Sequence, residues 1–402
     1  MSRVRRTGVL VVGASAAGLA TVEALRRDGY RDPITLLGAE PHLPYDRPPL
    51  SKQILSRTWR PERTLLRTPR LLADLDIDLV LGNPALALDS ATRTVETATG
   101  PITAEHIVIA TGARPRTLPG AIEPTGVHVL RTLDDALALR DGLTRARRVV
   151  VVGEGVLGAE IAATARRLGH EVTMTGLQHA PMANQLGDLA AGKLAELHTD
   201  NGVRLRLGAG VRNLTARNGA VTGVVLDSAG GAETVPADLV VIAIGAAPVT
   251  DWLVGSGLRL DRGVVCDARC RAAENIWAAG DVTRWHHPAV GAGCHLENRT
   301  NATTQAHLVA ANILGADRAY QPVPYFWTDQ YDTKIQVHGI IPPDGRAVVV
   351  EGDPAAGRFV ARFDRADGAP VAVLGWNMPK QVAAHRRSLI GTFEVHAPAY
   401  AP

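Results

Sequence analysis

Residues Arg148 to Glu160 read RVVVVGEGVLGAE, four valines breaking into Gly153, Gly155 and Gly158, with a helical pattern following through Ile161 and Ala165. The arrangement occurs once more, 140 residues earlier: Thr7 to Gly18 reads TGVLVVGASAAG, where Val9 to Val12 lead into Gly13, Ser15 and Gly18. A strand that turns sharply into a helix needs one glycine for the turn and a small residue where backbone approaches a pyrophosphate. It needs another glycine where helix and strand pack closely. The helix start then offers free N–H groups and the positive end of its dipole to the phosphates. A single such loop says little in a chain with 40 glycines, but two, each between a Val-rich strand and an Ala-rich helix, predict two dinucleotide sites. An enzyme with two such sites most often pairs FAD with NADH or NADPH. The candidate pyrophosphate contacts are Gly13, Ser15, Ala16, Ala17 and Gly18 in the first loop, and Gly153, Gly155, Val156, Leu157 and Gly158 in the second.

Composition narrows the class. A chain of 402 residues has room for two or three domains with real cores. Hydrophobic residues at 46% and charged residues at 21% are ordinary globular values and leave no disordered tract. A net charge of +3, spread as scattered arginine, is too weak for a nucleic-acid binder and would suit an acidic protein partner. Cys266, Cys270 and Cys294 form no CxxC pair and lie far from both glycine loops, which argues for a reducing compartment and against disulfide chemistry. Arg3, Arg5 and Arg6 before GVLVVGASAAGLA resemble a signal peptide, but cleavage there would destroy the first loop. No run approaches the roughly 20 apolar residues of a spanning helix, so a cytoplasmic protein is expected.

Taken in order, Val9 to Val12 are expected as the first buried strand, Leu19 to Arg27 as the first helix and Ile34 to Leu37 as the second strand. Glu40, just past that strand, is the candidate for holding the adenosine ribose. PHLPYDRPPLSK, Pro41 to Lys52, is a proline-stiffened loop that would aim Arg47 and Lys52 at a ligand. After a linking region, Ile107 to Ile109 should form a buried strand that ends in Ala110, Thr111, Gly112 and Ala113. Arg114 to Glu123 reads as a crossover, and Leu239 to Ile244 as a strand ending in Gly245, where the chain returns. IWAAGDV, Ile276 to Val282, carries Gly280 and Asp281 at a strand end, and HLENRTNATTQAHLVAANILG starts a late helix. From Pro322 onward, four strand-like runs (Lys334 to His338, Ala347 to Glu351, Phe359 to Phe363, Val371 to Gly375) and a final helix from about Lys380 to Ile390 suggest a small mixed domain.

PHLPYDRPPLSK, GEGVLGAEIAA, IWAAGDV and PYFWTDQYDTKIQVHG together resemble the FAD-dependent ferredoxin reductases of bacterial oxygenase systems, over about residues 8 to 392. The resemblance implies an α/β fold of the glutathione-reductase-like type: two Rossmann-like dinucleotide-binding domains plus a C-terminal α+β domain. Its expected bounds are 1–113 with 245–320 for FAD, 114–244 for NAD(P)H, and 321–402. It implies that NADH reduces FAD and that single electrons pass to an iron–sulfur ferredoxin, here an acidic one. The ferredoxin in turn supplies a haem-thiolate monooxygenase or a ring dioxygenase. Such proteins are often monomers or weak dimers.

By motif, Lys52 matches the lysine near the reactive edge of the flavin and Glu160 the acid that pairs with it. Trp327 matches the tryptophan at the electron exit, Asp281 the flavin-binding aspartate, and Glu297 the acid opening the late helix.

Two positions depart from the family pattern. Arg299 stands where Trp or Val is usual. Past the second strand of the later unit, Thr175, Gly176, Leu177, Gln178 and His179 offer no carboxylate for a ribose 2′-hydroxyl and no arginine cluster for a 2′-phosphate. Gln178 could hydrogen-bond either coenzyme, which leaves NADH as the family default and NADPH as the alternative. Competing readings are a rubredoxin reductase, a redox-controlled interaction protein resembling apoptosis-inducing factor, and a disulfide or peroxide reductase. The last would need a cysteine early in the chain, and the first is Cys266.

Overall fold

The computed structural model describes residues 4–393 apart from 121–123, 229, 289, 291, 344 and 366. The end of the expected crossover, and residues 344 and 366 in the links between the expected C-terminal strands, therefore lie outside the described residues. So does Arg3 of the basic N-terminal run.

Arg5–Val12 is the centre of an eight-stranded sheet, flanked in parallel register by Ile34–Leu37 and Ile102–Ile109. Ile276–Ala278 continues the parallel set beyond Ile102–Ile109. Val9, Leu10 and Val11 are fully buried, because helices Ala16–Arg27 and Arg299–Ile313 pack together over the sheet. A parallel strand covered on both faces must be apolar at every position, which is why the sequence shows an unbroken run there.

The second glycine loop sits in a separate five-stranded sheet, all parallel, in the order Arg204–Leu207, Glu171–Gly176, Arg148–Val152, Leu239–Ile242, Val127–His128. Its four valines divide by parity. Val149 and Val151 enter one core with Ile335 and Phe359 of the C-terminal sheet, while Val150 and Val152 enter another with Val224 and Val240. The first core also takes Leu50, Ile54 and Leu55 from the proline-rich loop, which is how that loop is pinned between sheets.

Ala113–Pro115 pairs antiparallel with Ala246–Pro248, so the outgoing and returning chains cross side by side. The C-terminal sheet is an antiparallel five-stranded array: Tyr325–Gln330, Thr333–Gly339, Pro370–Trp376, Arg358–Asp364, Ala347–Asp353.

Several sequence expectations are corrected. The first helix starts at Ala16, not Leu19, because the glycine loop turns directly into it. The strand before the chain returns ends at Ile242, so Ala243 to Gly245 belong to the turn. Lys52 is not in a loop but in a turn of π-helix, Leu50–Ile54, entered from Pro49. The supposed linking region holds Asp78–Val80, Ala85–Asp89 and Thr94–Thr97, all in the first sheet. The final helix is Pro379–His385, followed by a 3-10 turn and a short helix, Ile390–Phe393.

Candidate active site

A cleft of about 730 Å³ opens where the two glycine-loop sheets meet the first strand of the C-terminal sheet. Ser15, Ala16, Ala17, Arg47, Lys52, Ala110, Thr111 and Gly112 line it from the first unit. Gly155, Val156, Leu157 and Glu160 line it from the second, Gly245, Gly280, Asp281 and Glu297 from the returning chain, and Trp327 from the C-terminal sheet. Gly13, Gly18, Gly153, Gly158, Glu40 and Gln178 do not face it.

The buried glycines shape the loops from behind. Gly13 and Gly153 adopt φ of 122° and 119°, and a Cβ on either would lie 2.1 Å from a carbonyl oxygen, that of Ala110 or Ala243. A Cβ on Gly18 would meet Gly13 O at 1.8 Å, and one on Gly158 would meet Gly153 O at 1.9 Å. The two units thus solve one packing problem identically.

Each loop delivers a helix N-terminus to the cleft. Neither Ala16–Arg27 nor Val156–Arg167 carries a side-chain cap, whereas Thr132 and Asn298 cap helices elsewhere in the chain. At Gly155 an added Cβ would meet nothing within 4 Å, so the space before the second helix is open. Uncapped first-turn N–H groups facing an open, backbone-lined hollow fit a pyrophosphate, so the residues present suit a dinucleotide at each loop.

Between the two helix starts lies a buried ion pair. Lys52 Nζ is 2.6 Å from Glu160 Oε2, with side chains 15% and 8% exposed. Ser51 Oγ donates to the same oxygen at 2.6 Å, and Thr328 Oγ1 donates to Glu160 Oε1 at 2.9 Å. Thr164, one helical turn beyond Glu160, donates its hydroxyl to Ser51 O at 2.8 Å. One carboxylate therefore ties together the π-turn, the second-unit helix and the C-terminal sheet. Charges this far from water persist only when so completely partnered.

On the opposite wall, Arg47 donates to Glu40 Oε1 at 2.7 Å and to Arg131 O at 2.6 Å. Tyr45 donates to the other Glu40 oxygen and accepts Leu133 N–H at 2.9 Å; burial pushes its phenol well above the usual range. Arg131 pairs with Asp281 at 2.9 Å, while its Nε is buried with no hydrogen-bond partner among the described residues. At the mouth, His295 lies 2.9 Å from Glu297, which raises the imidazole pKa and lowers that of the carboxyl. Arg299 opens the late helix, but Asp46 holds its guanidinium at 2.5 Å, so no free cation results from that departure. Trp327 stacks on Tyr325 (centroids 5.9 Å apart, 21° between planes), which stacks on His338 at 4.5 Å.

The pyridine nucleotide-disulphide oxidoreductase family model matches residues 7–306, and the reductase C-terminal model matches 325–401. The ferredoxin–NAD(+) reductase component of the anthranilate 1,2-dioxygenase system of Burkholderia cepacia is 37% identical over 381 residues, 94% of this chain and 93% of its own. Rhodocoxin reductase of Rhodococcus erythropolis is 37% identical over 337 residues, 83% of this chain and 78% of its own. Among solved structures, the covalent putidaredoxin reductase–putidaredoxin complex superimposes with a TM-score of 0.89 at 29% identity, covering 98% and 97% of the two chains. The chain belongs to the ferredoxin reductases.

Cys266, Cys270 and Cys294 are free cysteines, and none of them lines the cleft. Burial keeps the Cys266 and Cys270 thiols protonated, the latter with a pKa pushed up to about 12, and Cys270 Sγ accepts from Gln305 at 3.2 Å.

Other features of the reductase had no signal in the linear sequence. Gln178 is already engaged, its Oε1 accepting Asn184 N–H at 2.7 Å and its own backbone N–H donating to Glu154 Oε1 at 2.9 Å. The sequence places no acid past the strand ending at Gly176, yet folding brings the Glu154 carboxylate there from the loop. Thr328 and Arg131 were also missed, since each reaches its partner over more than a hundred residues.

Proposed function

We propose that this protein is the reductase component of an oxygenase system, taking hydride from NADH onto FAD and passing electrons singly to a ferredoxin. The observation that carries this reading is the cleft itself: two uncapped glycine-loop helices open into it with the Lys52–Glu160 pair between them. When bound, FAD supplies the conversion between a two-electron donor and a one-electron acceptor.

Ser15 to Ala17 would hold the FAD pyrophosphate through backbone N–H groups, with Gly13 and Gly18 shaping the turn behind them; Glu40, held by Arg47 and Tyr45, would lie toward the adenosine ribose. Ala110 to Gly112, Arg47, Gly280, Asp281 and Glu297 would position the rest of the cofactor. Gly153 to Gly158 and Gly245 would hold NADH. Lys52 would present its ammonium to the reduced cofactor, and Glu160 holds that ammonium in place. Trp327 covers the cleft on the C-terminal side, where the partner would dock. The domain bounds are 1–113 with 245–320, 114–244 and 321–402; the paired crossing strands Ala113–Pro115 and Ala246–Pro248 support the two junctions of the inserted unit.

The partner is an acidic ferredoxin, matched to a chain of net charge +3. It serves a haem-thiolate monooxygenase or ring dioxygenase in the cytoplasm, and the reductase acts as a monomer or weak dimer. Among the described residues no helix is long and apolar enough to cross a membrane. Cytochrome c reduction by NADH should require added ferredoxin and slow as salt screens the encounter; rapid reduction without ferredoxin contradicts the reading.

A further inference from the structure

The two glycine-loop units correspond residue by residue through their hydrogen bonds. Gly13 N–H donates to Leu37 O and Gly153 N–H donates to Thr175 O, each at 2.7 Å. In that register Gly176 corresponds to Gly38, Gln178 to Glu40, and Glu154 to Ala14. The first unit carries its acid at Glu40, three residues past the strand end at Leu37. The second has glutamine there, and its acid has moved into the glycine loop.

The moved carboxylate lies over the strand end. A Cβ built on Gly176 would be 1.4 Å from Glu154 Oε2, so the acid fills the place where a side chain at that position would begin. Ala14 fills the equivalent place only with a methyl, 2.8 Å from a Cβ built on Gly38. Glu154 is 7% exposed, and Oε1 accepts the Gln178 N–H. Among the described residues that is the carboxylate's one hydrogen bond, leaving Oε2 with acceptor capacity. Arg206, opposite Thr175 in the next strand, is paired with Glu233 at 3.4 Å and offers no free cation to a phosphate.

An acid at the end of the second strand of such a unit binds the adenosine ribose 2′-hydroxyl and repels a 2′-phosphate. We propose that Glu154 performs this task from the loop, through Oε2, and selects NADH over NADPH. Gly176 is the complementary half of the device, since any side chain there would displace the carboxylate. The inference rests on the second loop being the coenzyme site, as proposed above.

Calorimetric titration of the flavin-loaded protein with NAD+ and with NADP+ tests it without turnover. The wild-type protein should bind NAD+ more tightly. Glu154→Gln keeps an amide oxygen for the Gln178 N–H but removes the charge, and should cut the NAD+ over NADP+ preference about 10- to 100-fold. Gly176→Ala should do the same with Glu154 intact. Both variants should retain full flavin content, which reports that the chain has folded. If wild-type protein binds NAD+ while Glu154→Gln and Gly176→Ala leave the preference unchanged, this inference alone is overturned. If wild-type protein binds neither coenzyme, the two-site reading falls and this inference falls with it.

Discussion

Replacing Lys52 with Met and Glu160 with Gln, singly and together, separates the energy of the buried pair from its chemistry. The Glu160 side chain is 8% exposed and accepts from Lys52 and Ser51 at 2.6 Å and from Thr328 at 2.9 Å. Lys52→Met leaves a buried carboxylate with two neutral donors, and Glu160→Gln leaves an ammonium whose remaining contact is Ser51 Oγ at 3.3 Å. Stranding one charge of such a pair costs about 3 to 5 kcal/mol. In the double variant no charge is stranded, and the amide introduced by Glu160→Gln can still meet Ser51 and Thr328, so the net loss should be about 1 kcal/mol. Urea unfolding followed by flavin fluorescence and by circular dichroism would report the cycle, provided the transitions coincide. Recovery of stability in the double variant should bring no recovery in the rate of flavin reduction, because the positive charge is still missing. Single-variant losses that add within about 0.5 kcal/mol would refute the coupling.

Two further predictions follow from the loops and the buried histidine. Gly13→Ala and Gly153→Ala each force a Cβ to 2.1 Å from a carbonyl oxygen at a strongly positive φ, yet their consequences should differ: the first should lose flavin absorbance on purification, and the second should keep it but lose bleaching by coenzyme. Equal flavin loss in both contradicts the division of labour. Burial lowers the His198 pKa from 6.5 to about 4. The unfolded chain therefore takes up this proton first, and stability should fall as pH drops through that window, by up to about 3 kcal/mol from this group. His198→Gln should flatten that slope; an unchanged slope shows that another group carries it.

The glycine loops were legible because their constraint is local: a positive φ and a close backbone contact restrict residue type at fixed spacing. Strand Ile34–Leu37 was legible for a similar reason, as an apolar run between turn signals. Helix Ala183–Asp200 was not, since it is entered through Met182 in a left-handed conformation and interrupted at Gly187 with φ of 70°, which breaks the helical period. Helix Leu133–Leu143 was missed despite the capping box of Thr132 and Asp135 and its buried Leu133, Ala136, Leu139 and Leu143, because it follows closely on the crossover and was read with it. The pair Lys52–Glu160 came from resemblance to a family, as no spacing rule joins residues 108 apart. Glu154 escaped for the same reason: it reads as the variable residue of a glycine loop until Gly176 is seen beneath it.

Stopped-flow mixing of the yellow protein with NADH, and of the reduced protein with an oxidised ferredoxin, bears hardest on the proposed electron path. Rapid loss of flavin absorbance with NADH, then its return as ferredoxin is reduced one electron at a time, is the expected result. A flavin that neither NADH nor NADPH bleaches would mean that the second glycine loop does not deliver a coenzyme to the cleft, and the proposed function would be wrong.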